Sequence, residues 1–185
     1  MSPSPGRTSD MNTARQKKRI VLVHPRGFNW FPGRRDITDI ANRMVPQGLL
    51  SMAAWLSREG HDVYVYDCLG PAAPLDIDKQ AGEILNFEPD IVGFSATTSS
   101  FPDATELAEK IRQAHPGIIT VCGGVHASAL GEKLLAGYPS FDFLVVGEGE
   151  QTMSELAAGC DPAGIDGLVR RENGHALANQ PRKHI

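Results

Sequence analysis

Short β-branched and apolar runs recur along this chain, and each is separated from the next by a segment of helical period. The runs are Ile20 to Val23, Val63 to Tyr66, Ile91 to Ser95, Ile118 to Cys122 and Phe141 to Val146. Between them, apolar residues at helical spacing (Leu49, Met52, Ala53, Leu56) predict a helix over 49–58 with Gly60 as its C-terminal cap. Further helices are expected over 77–87, 101–115, 128–136 and 150–158. Strands that are apolar along their whole length must be covered on both faces, and alternation with helices supplies that cover. The pattern therefore predicts an α/β fold, a doubly wound five-stranded parallel sheet with right-handed crossovers. After the last helix, 167–171 and 175–179 flank Glu172-Asn173-Gly174, and an Asn-Gly turn between two such runs predicts a C-terminal β-hairpin.

Composition narrows the function classes. A chain of 185 residues is long enough to bury a full core, and its net charge of −4 gives no electrostatic footprint for nucleic acid or an anionic membrane. No apolar run approaches the roughly 20 residues of a membrane span. The three cysteines, Cys68, Cys122 and Cys160, are far apart and lack metal-type spacing, which suits a reduced, cytoplasmic setting. Residues 1–17 carry no apolar period and are expected to form a disordered tail, with 18–160 as the folded domain and 161–185 as hairpin and linker. The basic cluster Gln16-Lys17-Lys18-Arg19 reads as a charged lead-in to the first strand. The aromatic stretch 26–45 is long for a connection, and reads either as a surface loop or as a lid or docking surface.

The strand ends carry the chemistry. In an open parallel sheet ligands bind outside the carboxyl ends of the strands. Here those junctions are His24-Pro25-Arg26-Gly27, Ser95 to Ser100, Gly123-Gly124-Val125-His126 and Gly147-Glu148-Gly149-Glu150. No Gly-x-Gly-x-x-Gly, phosphate-loop or Gly-x-Ser-x-Gly motif occurs among them, and no obvious general base or nucleophile stands there. Glycines and small hydroxyls make a floor for a large ligand that approaches the backbone closely. Each feature also has a plainer role. The hydroxyls cap the following helix, the glycines turn the chain, and Glu148 and Glu150 suit a helix's first turn. His126 caps or lines a helix start, His61 is a turn residue, and Cys122 is a small buried hydrophobe.

In order and spacing, Pro46-Gln47-Gly48-Leu49, Gly60-His61-Asp62-Val63, Pro89-Asp90-Ile91-Val92-Gly93-Phe94-Ser95, Gly123-Gly124-Val125-His126 and Asp142 to Glu150 resemble the N-terminal cobalamin-binding domain of cobalamin-dependent radical S-adenosylmethionine enzymes. The resemblance implies a Rossmann-like, flavodoxin-type sheet that holds cobalamin at its C-terminal edge. It implies cofactor contacts at Ser95, Thr97, Thr98, Gly123, Gly124, His126, Gly147, Glu148 and Gly149. It also implies a radical S-adenosylmethionine catalytic domain as partner, in cis or in trans. The Asp-x-His-x-x-Gly motif of other cobalamin proteins is missing, so no metal ligand is expected. His24 is the one candidate for cobalt, weighed against a strand-end histidine beside a proline turn. No Cys-x-x-x-Cys-x-x-Cys occurs, so S-adenosylmethionine and a 4Fe–4S cluster are not expected on this chain, which is expected to be non-catalytic alone. A flavodoxin-like flavin-binding domain and a protein-docking domain are the alternatives. A bulky residue at Gly123 or Gly124 is expected to leave the fold intact and to remove the cofactor.

Overall fold

Seven strands form one sheet in the order β2-β1-β3-β4-β5-β6-β7. The computed structural model describes residues 16–27 and 45–183; most of the proposed tail and of the aromatic 26–45 stretch lies outside these residues. The strands are β1 (Arg19–His24), β2 (Asp62–Asp67), β3 (Ile91–Ser95), β4 (Ile119–Gly123), β5 (Phe143–Val145), β6 (Leu168–Glu172) and β7 (His175–Ala178). The first five are parallel, as the alternating pattern requires, and the order changes direction at β1. The helices are α1 (Gln47–Arg58), α2 (Ile77–Leu85), α3 (Phe101–Ala114), α4 (Val125–Leu130), α5 (Glu132–Gly137) and α6 (Glu150–Ala157).

The helix expected over 128–136 is two. Gly131, at φ +52°, breaks it between α4 and α5. The hairpin turns at Asn173 and Gly174, both at positive φ, the geometry that a two-residue turn between twisted strands demands. It does not stand apart from the sheet. β6 pairs antiparallel with β5, Leu144 opposite Val169 and Val145 opposite Leu168, and so extends the same sheet.

Alternation along the strands divides the core in two. Val21, Val23, Val92, Phe94, Cys122 and Leu144 face α2, α3 and the α4–α5 pair. Ile20, Leu22, Ile91, Val121 and Val145 face α1 and α6. Phe94 and Phe141 meet edge to face at 5.8 Å, and burying each large apolar side chain contributes about 1.5–3 kcal/mol. On the other face α1 and α6 are tied to one another at both ends. Ser51 Oγ donates to Glu150 Oε1 at 3.0 Å, and Ser154 Oγ donates to Glu59.

Side chains lock the segment after β1 and the last described residues. Gly27 N–H donates to Asp103 at 3.0 Å, which pins the segment after β1 onto the first turn of α3. Burial pushes the Asp103 carboxyl above its ordinary value, opposed by that N–H and by Arg26. At the other end Arg182 reaches back to α6, donating to Thr152 Oγ1 at 2.9 Å, Gln151 at 2.9 Å and Glu155 at 2.5 Å.

A candidate cobalamin-binding site

Gly93 carries no side chain on the face of the sheet that α1 and α6 cover, and Leu22 and Met153 lean into that place. Gly93 lies in register between Leu22 of β1 and Val121 of β4. A Cβ on Gly93 would stand 3.1 Å from Leu22 Cδ2 and 3.7 Å from Met153 Cε. A glycine inside a buried strand marks a place where something approaches the backbone closely. Above it is a cavity of about 280 Å³, walled by Leu49 and Met52 of α1 and Met153 of α6.

The mouth of this cavity is at the C-terminal edge of the sheet. Ser95 and Gly123 pair there at the ends of β3 and β4. Six of the sequence-predicted residues come together around it: Ser95, Gly123, Gly124, Gly147, Glu148 and Gly149. Gly147 turns at φ +81°, its N–H donating to Ser128 Oγ at 3.1 Å, and Gly149 starts α6. Packing around Gly149 is close, because a Cβ there would stand 2.6 Å from Met52 Cε and 3.1 Å from Val145 Cγ1.

Thr97, Thr98 and His126 fall outside that lining. Thr97 belongs to the turn that opens α3, its N–H donating to Ser100 Oγ at 3.0 Å. Thr98 Oγ1 lies 3.1 Å from His126 Nδ1, and the His126 ring leans on Phe101 with centroids 4.5 Å apart. The His126 N–H donates to the Ala96 carbonyl at 3.2 Å, so these residues join the β3 and β4 junctions. His24 is also away from the lining. Its Nδ1 meets Asp67 Oδ1 at 3.0 Å, and the same oxygen accepts the Leu69 N–H.

Sequence reading missed the walls and floor: Leu22, Leu49, Met52, Val121 and Met153 read as ordinary core. The available signal was Gly93, a glycine inside an otherwise apolar strand. The cavity fits a group with an apolar end and a polar remainder. Its depth is apolar and close to backbone, whereas its mouth offers the Ser95 hydroxyl and the amides at the start of α6.

Residues 34–157 match the family of B12 binding domains. An uncharacterized methyltransferase of Pyrococcus horikoshii is 38% identical over 171 residues, covering 90% of this chain and 36% of the relative. An anaerobic magnesium-protoporphyrin IX monomethyl ester cyclase of Rubrivivax gelatinosus is 31% identical over 144 residues, covering 77% and 24%. The chain therefore spans about a third or less of these relatives. Among solved structures, the radical S-adenosylmethionine methyltransferase TsrM from Kitasatospora setae, with cobalamin and a 4Fe–4S cluster bound, superposes with a TM-score of 0.71 at 24% identity. That match covers 90% of this chain and 29% of TsrM, and it shows the shared fold. With an open parallel sheet, a slot over Gly93 and glycine-rich strand ends, the chain belongs to the B12 binding domain family.

Proposed function

We propose that this chain holds cobalamin by its nucleotide tail and is the cofactor-binding part of a longer radical S-adenosylmethionine enzyme of methyltransferase or cyclase type. The observation that carries the reading is the slot over Gly93, apolar in its depth and open at the sheet edge where Ser95 and Gly123 meet. The names of the matched relatives, a methyltransferase and a cyclase, agree with the enzyme class. Ser95, Gly123, Gly124, Gly147, Glu148 and Gly149 would line the tail's path. Thr97, Thr98 and His126 would stand beside it at the sheet edge. The corrin supplies organometallic chemistry when bound. S-adenosylmethionine and the iron–sulfur cluster would belong to the catalytic domain, in cis or in trans. Three free cysteines suit a reduced, cytoplasmic setting.

The cobalt would have no histidine ligand from the described residues. His24 is not part of the cavity lining, and its Nδ1 contact with Asp67 does not engage Nε2. Nε2 is the nitrogen a ligand histidine would use, so a spectrum decides the point. Purified protein mixed with hydroxocobalamin should retain the cofactor through gel filtration with a base-off visible spectrum, and His24→Ala should leave that spectrum unchanged. A freely separating cofactor sinks the binding reading. A His24-dependent spectrum sinks the ligand reading alone, and a yellow protein on purification would favour a flavin instead.

A further inference from the structure

The floor of the slot carries no hydrogen-bonding side chain among the described residues. Leu22, Gly93 and Val121 form one row across the sheet, and their backbone groups are engaged in the parallel pairing of β1, β3 and β4. Met52 and Met153 supply flexible thioether walls. The polar side chains stand farther out. Ser95 ends β3, two residues beyond Gly93, while Glu148 and Glu150 flank the start of α6. Among the described residues, a group pushed to the floor therefore meets apolar side chains, thioethers and backbone already paired within the sheet.

We propose that this floor makes the chain selective for the lower base of the cobamide, favouring a benzimidazole over a purine. The inference rests on the reading of the slot as the tail's site. A benzimidazole presents C–H or methyl edges at its far end, which gain contact and lose no partner. An adenine in the same place presents an exocyclic amine and ring nitrogens that give up water, and each buried group left unpaired pays its desolvation in full. The methionines adapt to size, being unbranched and mobile, but they supply no donor and only a weak acceptor. Selectivity should thus follow polarity more than bulk.

Equilibrium dialysis of the whole chain against four corrinoids tests this: cobalamin, the cobamide with unmethylated benzimidazole, the adenine cobamide, and cobinamide, which has no tail. The two benzimidazole forms should bind within a few-fold of one another. The adenine form should bind at least about tenfold more weakly, a difference of ~1.4 kcal/mol. Val121→Thr, which keeps volume and adds one hydroxyl at the floor, should narrow that ratio. An adenine cobamide held as tightly as cobalamin, with both tighter than cobinamide, overturns the selectivity and leaves the tail slot standing. Equal binding of all four, cobinamide included, overturns the tail slot and the selectivity with it.

Discussion

Gly124 lies directly against the backbone of Ala96. A Cβ at Gly124 would stand 2.7 Å from the Ala96 carbonyl oxygen and 2.8 Å from its nitrogen, with Ser95 Oγ at 3.2 Å. Gly124 also sits at φ 89°, ψ −175°, a region essentially reserved for glycine. Backbone cannot yield as a side chain does, so this glycine holds the β3 and β4 junctions together before it does anything for a ligand. The sequence reading, in which a bulky residue at Gly124 leaves the fold intact, is corrected on this ground. Gly124→Ala should lower stability by on the order of 1–3 kcal/mol from backbone strain, with the steric contact adding to it. A urea midpoint equal to that of the parent chain would remove the argument.

Gly123 is the better probe of the site. Its Cβ would make ordinary contacts, 3.7 Å to the Val145 carbonyl oxygen and 3.8 Å to Val145 Cβ, with no positive φ to strain. It also lies in the cavity lining. Gly123→Leu should keep the unfolding free energy from urea titration within about 1 kcal/mol of the parent, the centre of the range for point substitutions. It should lose cobalamin retention on gel filtration by at least tenfold in apparent affinity. Unfolding, or full retention, would each contradict this assignment.

The two glycines also show how far the sequence could be read. Adjacent and identical in type, they are separated in role by Ala96, which is distant in sequence and brought near only by the β3–β4 pairing. Glycines and hydroxyls at strand ends were legible because they break an apolar pattern, and the hairpin was legible because Asn173-Gly174 names its own turn. The walls were not. Leu49 and Met52 follow the same helical spacing as Leu56, and nothing in that spacing distinguishes a side chain that meets a neighbour from one that borders a gap. The pairing of β6 with β5 was equally hidden, because it depends on where the chain returns after α6 and the 3-10 turn Pro162–Gly164.

Met52 and Gly149 form a second such long-range pair, with opposite mechanical character. A Cβ on Gly149 would come within 2.6 Å of Met52 Cε and 3.1 Å of Val145 Cγ1, and the nearer obstacle is the free end of a flexible thioether. Gly149 has φ −101°, ψ −12°, a conformation that alanine adopts without strain. Gly149→Ala should therefore keep the fold, at a modest cost from Val145 and from the α6 N-cap, and displace Met52, a cavity wall, weakening cobalamin binding several-fold. Met52→Ala in the same chain should recover much of the loss, giving a coupling of about 0.5–3 kcal/mol in a double-mutant cycle. Additive effects on binding would show that the two do not act through one another.

The two buried thiols make the folded chain lose stability as the pH rises into the alkaline range. Burial, aided by the charges of Asp67 and Asp103, pushes Cys68 up to about 12, and burial alone pushes Cys122 to about 12, against an ordinary value of 9.0. Between these values the folded chain keeps protons that the unfolded chain has released, so the unfolded state gains as pH rises. Their contribution is fully present below about pH 9 and is withdrawn on the way to pH 12, each thiol contributing a slope of about 1.4 kcal/mol per pH unit. Tyr66, raised by burial and by its bond to Glu83, adds to the loss above pH 10.0. Urea midpoints measured from pH 8 to 11 should fall less steeply for Cys122→Ala than for the parent, although the variant starts lower for want of its sulfur. In the folded protein below pH 9, iodoacetamide should label exposed Cys160 first and leave Cys68 and Cys122 until denaturant is added. Parallel midpoint slopes for parent and variant would show that Cys122 does not carry its share.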